Sequence, residues 1–143
     1  MVDVGDKSRT RREATAECFV RMAPETVRAL REATLAKGDA LGVARVAGIM
    51  GAKRTPDLIP LCHPIAISGV EISLELADHR VDITATVRTA DRTGVEMEAL
   101  TAVATAGLAV IDMIKAVDPA ATIDQIRVLR KEGGKTGTWE RAE

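Results

Sequence analysis

A chain of 143 residues, 46% hydrophobic and 29% charged, is the size of one domain that can bury a core without disulfides. Its formal net charge of -1 excludes a general field for nucleic acid or anionic membrane, so phosphate binding would need a local cluster of Lys and Arg. Phe19 and Trp139 are the only aromatics, which leaves no stacking platform for single-stranded nucleic acid.

Residues 1–11 read as irregular or as an edge strand, and Glu13–Met22 as a strand with mixed faces. Pro24 suits the first position of a helix running to about Leu35. Lys37-Gly38-Asp39 breaks it. Asp39 can cap a second helix, Ala40–Lys53, with Leu41, Val43, Ala44, Val46, Ala47, Ile49 and Met50 as its apolar side. Pro56, Pro60 and Pro64 fence an irregular stretch, PDLIPLCHP, where a long helix is not expected. Val70 to Leu76 and Val81 to Val87 alternate apolar and polar residues around Asp78-His79, an antiparallel hairpin with one buried face. Gly94–Val117 reads as a long, alanine-rich helix and Ile123–Leu129 as a last strand. From about residue 131 the Gly-rich, charged sequence reads as a flexible tail. These elements predict a single α+β domain over residues 1–143, an antiparallel sheet covered by helices.

Cys18 and Cys62 form no CxxC, and His63 and His79 add no metal-ligand spacing, so neither a metal site nor a disulfide framework is expected. MVDVGDK is not a signal peptide, and no apolar run approaches the roughly 18 residues of a membrane span. The expectation is a cytoplasmic protein without membrane attachment.

The long helix carries the most information. Glu98, Thr101, Thr105, Asp112 and Lys115 fall within a stripe of roughly 100° on an otherwise apolar cylinder. The pattern fits the solvated side of an amphipathic helix, with Asp112 and Lys115 as a surface ion pair. The other reading is a narrow polar groove, with small Thr residues leaving room for a ligand. Glu96 falls on another face. Lys37-Gly38-Asp39 at a helix start is either a capped turn or an anion site. His63 either packs or donates to a phosphate, and Cys62 more simply packs. Gly133-Gly134-Lys135-Thr136-Gly137 is no Walker A loop, because Leu129 stands where that motif needs Gly. It is a disordered tail or a lid that brings Lys135 to an anion.

Three long strings, KGDALGVARVAGIMGAKRTPDLIPLCHP, TGVEMEALTAVATAGLAVIDMIKAV and GGKTG, resemble the MoaC family of cyclic pyranopterin monophosphate synthases, over nearly the whole chain. The resemblance implies a ferredoxin-like fold and a homohexamer, a trimer of dimers with active sites at the dimer interface. It implies conversion of 3′,8-cyclo-7,8-dihydro-GTP to cyclic pyranopterin monophosphate and diphosphate, in molybdenum cofactor biosynthesis. It places catalysis at Asp112, Lys115 and Lys37, and substrate contacts at Leu61, Cys62, His63, Met97 and Glu98. Glu96, Lys53, Arg12 and Lys135 match further pocket positions. On this reading Lys115 and Lys37 transfer protons, with Asp112 orienting or deprotonating Lys115. His63, Lys53, Arg12 and Lys135 hold phosphates, while Glu98, with Glu96, takes the amino-pyrimidinone edge. No cofactor is required, although Mg²⁺ can accompany the triphosphate. The alternative is a non-catalytic nucleotide-binding module, which would use Lys37 and Lys135 but not Asp112 and Lys115 together.

Overall fold

The computed structural model describes residues 1–142. The strands are β1 (Thr10–Arg21), β2 (Ile67–Leu76), β3 (Arg80–Asp91), β4 (Thr122–Glu132) and β5 (Trp139–Glu140). The helices are α1 (Pro24–Glu32), α2 (Ala40–Lys53), the short α3 (Thr55–Leu58) and α4 (Glu96–Ile114). All strands join one sheet in the order β2-β3-β1-β4-β5, and every pairing is antiparallel. Leaving out α1, α3 and β5 gives the β-α-β-β-α-β arrangement of a ferredoxin-like fold, with β1 at the centre.

Period-two burial explains the sheet. Ala14, Ala16, Cys18 and Val20 on β1 and Val81, Ile83, Ala85 and Val87 on β3 turn inward and are at most 1% exposed. The Cys18 thiol donates to the Val103 carbonyl (3.3 Å), and burial, helped by Glu17, pushes its pKa up to about 12. The alternate residues form a polar outer face. Arg88 meets Glu13 at 2.6 Å, Arg127 meets Glu17 at 2.7 Å, and Arg80 lies over the Phe19 ring. The mixed faces expected of the first strand are therefore those of a central strand, buried on one side and ion-paired on the other.

α2 and α4 pack antiparallel through small residues. A Cβ on Gly48 would overlap the Ile72 side chain and crowd the Ala102 carbonyl at 3.1 Å. One on Gly51 would overlap the Thr105 side chain. This corrects part of the apolar side expected for α2: Ala44 is buried and Leu41 and Ile49 pack partly against the core, but Val43, Val46 and Met50 do not. Its inward residues are Ala40, Ala44, Gly48, Gly51 and Ala52, while Val43, Val46 and Met50 are about half exposed. It also bears on the α4 stripe: the Thr105 side chain and the Thr101 carbonyl lie against Gly51 of α2, and both threonines are only part-exposed. Gly48→Val should cost about 1–3 kcal/mol by overpacking, seen as a lowered midpoint in chemical denaturation.

By length and composition α4 could cross a membrane, contrary to the sequence expectation. In the structure it is the core helix, with Ala99, Ala102, Val103, Ala106 and Val110 fully enclosed.

α1 stops at Glu32, short of Leu35, because Ala33 turns left-handed (φ 54°) and the Thr34 N–H closes back on the Ala29 carbonyl. At its other end no local side chain caps it. Asp118, from the turn after α4, accepts from the Ala23 N–H and the Thr26 hydroxyl, both at 2.8 Å. The Ala23 bond, with a smaller part from Thr26, holds the Asp118 carboxyl below its usual range. A lowered folded-state pKa means the stabilisation is complete above the unfolded value and is lost as pH falls through the folded one. Asp118→Ala should thus cost about 1 kcal/mol at neutral pH, as cap removals do. In urea melts that deficit should shrink as pH falls below the ordinary carboxylate range and through the lowered folded-state value.

Candidate active site

The loop between β3 and α4 is built by Asp91. Its carboxylate accepts from the Arg92 and Ala66 N–H groups at 2.8 and 3.2 Å, which tie this loop to the segment entering β2. These bonds, Arg92 first, hold the carboxyl below its ordinary range. Its backbone carbonyl takes the Arg12 Nε–H at 3.1 Å, which fixes the guanidinium beside the start of α4.

A cavity of about 240 Å³ opens there, lined by Arg12, Glu96 and Lys135, and also by Lys7 and Lys131. Lys131 reaches Glu96 at 3.5 Å. Neither Lys7 nor Lys131 was singled out from sequence. Lys131 lies two residues past the expected end of the last strand, and only the longer β4 brings it to the cavity.

A second cavity, about 310 Å³, is lined by Leu61, Cys62, His63, Glu96 and Met97, and shares Thr93, Gly94 and Glu96 with the first. The segment after α3 runs irregularly, as its prolines require, and places Leu61–His63 opposite the first turn of α4. Glu98 lies beneath this wall, 1% exposed. The Cys62 thiol donates to its Oε2 at 3.7 Å, and its Oε1 has no hydrogen-bond partner among the described residues. Burial pushes the Glu98 carboxyl up, partly opposed by hydrogen bonds from the backbone and Cys62. Burial and then the Glu98 charge likewise raise the Cys62 thiol, so it is a poor nucleophile in this setting. Glu98 is a buried acid with an unused oxygen, suited to receiving or returning a hydrogen bond inside a ligand pocket.

The third group is at the other end of α4. Asp112 bridges two lysines, Lys37 Nζ at 3.0 Å on Oδ2 and Lys115 Nζ at 2.7 Å on Oδ1. The hydrogen bond from Lys115, then that from Lys37, holds the Asp112 carboxyl below its ordinary range. Gly38, at φ 95°, turns the chain between α1 and α2, and the Asp39 side chain accepts from the Gly42 N–H to start α2. Lys37 is thereby delivered to the end of α4. The 112–115 pair foreseen from spacing thus has a third member from another element.

Within one chain the two ends stay apart. Sixteen residues separate Glu96 from Asp112, about 24 Å along the helix axis. Arg12, Leu61, Cys62, His63, Glu96, Met97, Glu98 and Lys135 gather at one end, and Lys37, Asp112 and Lys115 at the other. Lys53 is exposed at the last residue of α2 and lines neither cavity. Because α2 is antiparallel to α4, it lies toward the Glu98 end.

Residues 1–134 match the model of the MoaC family. A cyclic pyranopterin monophosphate synthase of Streptomyces coelicolor is 61% identical over 142 residues, covering 99% of this chain and 84% of that protein. Cyclic pyranopterin monophosphate synthase 2 of Mycobacterium tuberculosis is 57% identical over 141 residues, 99% of this chain and 84% of its own. The synthase of Corynebacterium glutamicum is 61% identical over 140 residues, covering 97% and 89%. With the family model spanning β1 to β4, all four helices and both ends of α4, the chain belongs to the MoaC family.

Proposed function

We propose that this chain is a cyclic pyranopterin monophosphate synthase of molybdenum cofactor biosynthesis, acting in the cytoplasm. It takes 3′,8-cyclo-7,8-dihydro-GTP and releases diphosphate. The observation that carries the chemistry is Asp112 between two lysine ammonium groups, at 3.0 and 2.7 Å. Opening the imidazole-derived ring and closing a pyran ring both move protons between nitrogen, oxygen and carbon. Lys115 and Lys37 are the groups to carry them, and Asp112 orients both. Closing the cyclic phosphate puts a ribose hydroxyl oxygen on the α-phosphorus as the bond to the departing diphosphate breaks. The cations Arg12, Lys135 and Lys131 face that leaving charge, with His63 on the wall of the adjoining cavity and Lys53 outside both cavities at the same end of the helix pair. Glu98 and Glu96 take the amino-pyrimidinone edge. These steps are proton and phosphoryl transfers, which the side chains supply without a cofactor; Mg²⁺ can accompany the triphosphate.

The active site is completed by a second copy of the chain, in a homohexamer built as a trimer of dimers. Two observations support this reading. The 24 Å between the two groups exceeds what one substrate with its purine fused to its ribose can span. Val43, Val46 and Met50, spaced three and four apart, make an exposed apolar strip along α2 between those ends. A copy docked antiparallel on this strip brings its lysine end to the cavities of the first.

Mixing the purified protein with the cyclised substrate tests the activity. Equimolar diphosphate and pterin product are expected. Tight binding with no diphosphate release would leave only a nucleotide-binding module.

A further inference from the structure

The sheet has one strand more than its fold requires. β5 is two residues long, both exposed, and lies beyond residue 134, where the family match ends. Its contacts with β4 are nevertheless many. Arg130 pairs with Glu140 and Lys131 with Trp139 across the ladder. The Arg130 Nε–H reaches Glu140 at 3.1 Å. The Arg141 N–H donates to the Leu129 carbonyl at 2.8 Å and its Nε–H to the Val128 carbonyl at 2.7 Å, while its guanidinium lies 5.6 Å from the Trp139 ring centre. Residues opposite one another on a ladder share a face, so Trp139 stands beside Lys131, the lysine that reaches Glu96.

Residues 133–138 loop between the two strands and carry Lys135 to the cavity edge. The loop also runs close against β1. Gly133 and Gly134 have φ of 96° and 79°, and a Cβ on either would overlap the Arg11 carbonyl or the Arg12 guanidinium. The Gly137 N–H closes on the Gly134 carbonyl at 3.4 Å. A loop anchored only by its glycines would leave Lys135 to be ordered at each binding event. Anchored at both ends, much of that ordering precedes the ligand.

We infer that β5 is a clasp: Trp139 and Glu140 are positioning residues that hold Lys131 and the Lys135 loop over the Arg12–Glu96 cavity, ready for a diphosphate group. This rests on the reading of that cavity as the phosphate site. Neither residue touches the ligand. The clasp acts through the lysines, and its loss reads out as weakened binding with unchanged chemistry.

The test uses the full chain, with Trp139 and Glu140 both changed to Gly, and inorganic pyrophosphate titrated by calorimetry. Affinity should fall roughly tenfold, the worth of one charge-assisted contact. KM for the cyclised substrate should rise by a similar factor, with kcat within about twofold and the thermal midpoint within about 2 °C. Lys135→Ala should lower pyrophosphate affinity comparably. Adding it to the double-Gly variant should cost little more, because both changes remove the same contact. Trp139→Phe should retain wild-type affinity. Unchanged affinity in the double-Gly variant, with Lys135→Ala weakened, overturns the clasp and leaves the phosphate site standing. Fully additive losses also overturn it, since β5 would then act elsewhere. Unchanged affinity in Lys135→Ala overturns the phosphate role of that loop and the clasp with it.

Discussion

Lys115→Ala should remain folded while its turnover falls by roughly 100-fold or more, the scale of a lost proton-transfer group. The geometry separates this from a stability effect. Lys115, Asp112 and Lys37 are 60%, 53% and 51% exposed, and exposed ion pairs contribute about 0–1 kcal/mol. Asp112 keeps Lys37 as a partner when Lys115 is gone. Its carboxyl rises only back toward the ordinary carboxylate range, so it stays ionised at neutral pH and its protonation is no part of the loss. Lys115→Arg sharpens the test, because Arg preserves the charge but does not release a proton at working pH. A folded Lys115→Arg variant that binds substrate and does not turn over is the expected result. Thermal melts read with single-turnover kinetics check both halves. An active Lys115→Arg variant would reduce Lys115 to an electrostatic role and leave Lys37 as the proton carrier.

The sequence disclosed the elements wherever a period was clean. The hairpin was legible because β3 is buried on one face and solvated on the other. The start and end of α2 were legible because Asp39 is a good cap and its apolar run stops at Lys53. What could be read only in part was which side of α2 faces in: Leu41, Ala44 and Ile49 do pack inward, but the close contact with α4 uses Gly48 and Gly51 and leaves Val43, Val46 and Met50 outside. The end of the last strand was missed because RKE reads as polar tail, yet Arg130 and Glu132 belong to the ion-paired outer face. That error hid Lys131. Trp139–Glu140, within the expected flexible tail, forms β5.

The site was legible in unequal parts. Asp112 and Lys115 follow from helical spacing, but Lys37 joins them from 75 residues away, which no local pattern encodes. Glu98 looked like one member of a polar stripe and is instead buried against Cys62. The division into two ends depends on α2 and α4 being antiparallel, a tertiary fact. The family resemblance named the residues of both groups, while their separation along one helix is a property of the folded chain.

That separation makes the second large prediction. If each site draws its lysines from one copy and its cavities from another, two differently damaged chains should repair each other. Lys115→Ala and His63→Ala homomers should each be nearly inactive. Refolded together at equal amounts, half of the dimers should be mixed, and each mixed dimer holds one site free of both changes. About a quarter of wild-type turnover should return, the statistical share for a two-fold symmetric pair with two sites. The recovery should depend on mixing, being absent when the two proteins are folded separately and combined only in the assay, unless subunits exchange. Native mass spectrometry establishes that mixed oligomers are present, and diphosphate release gives their turnover. Recovery to about a quarter is the predicted result; mixed oligomers no more active than the better of the two parents would contradict a site shared between copies.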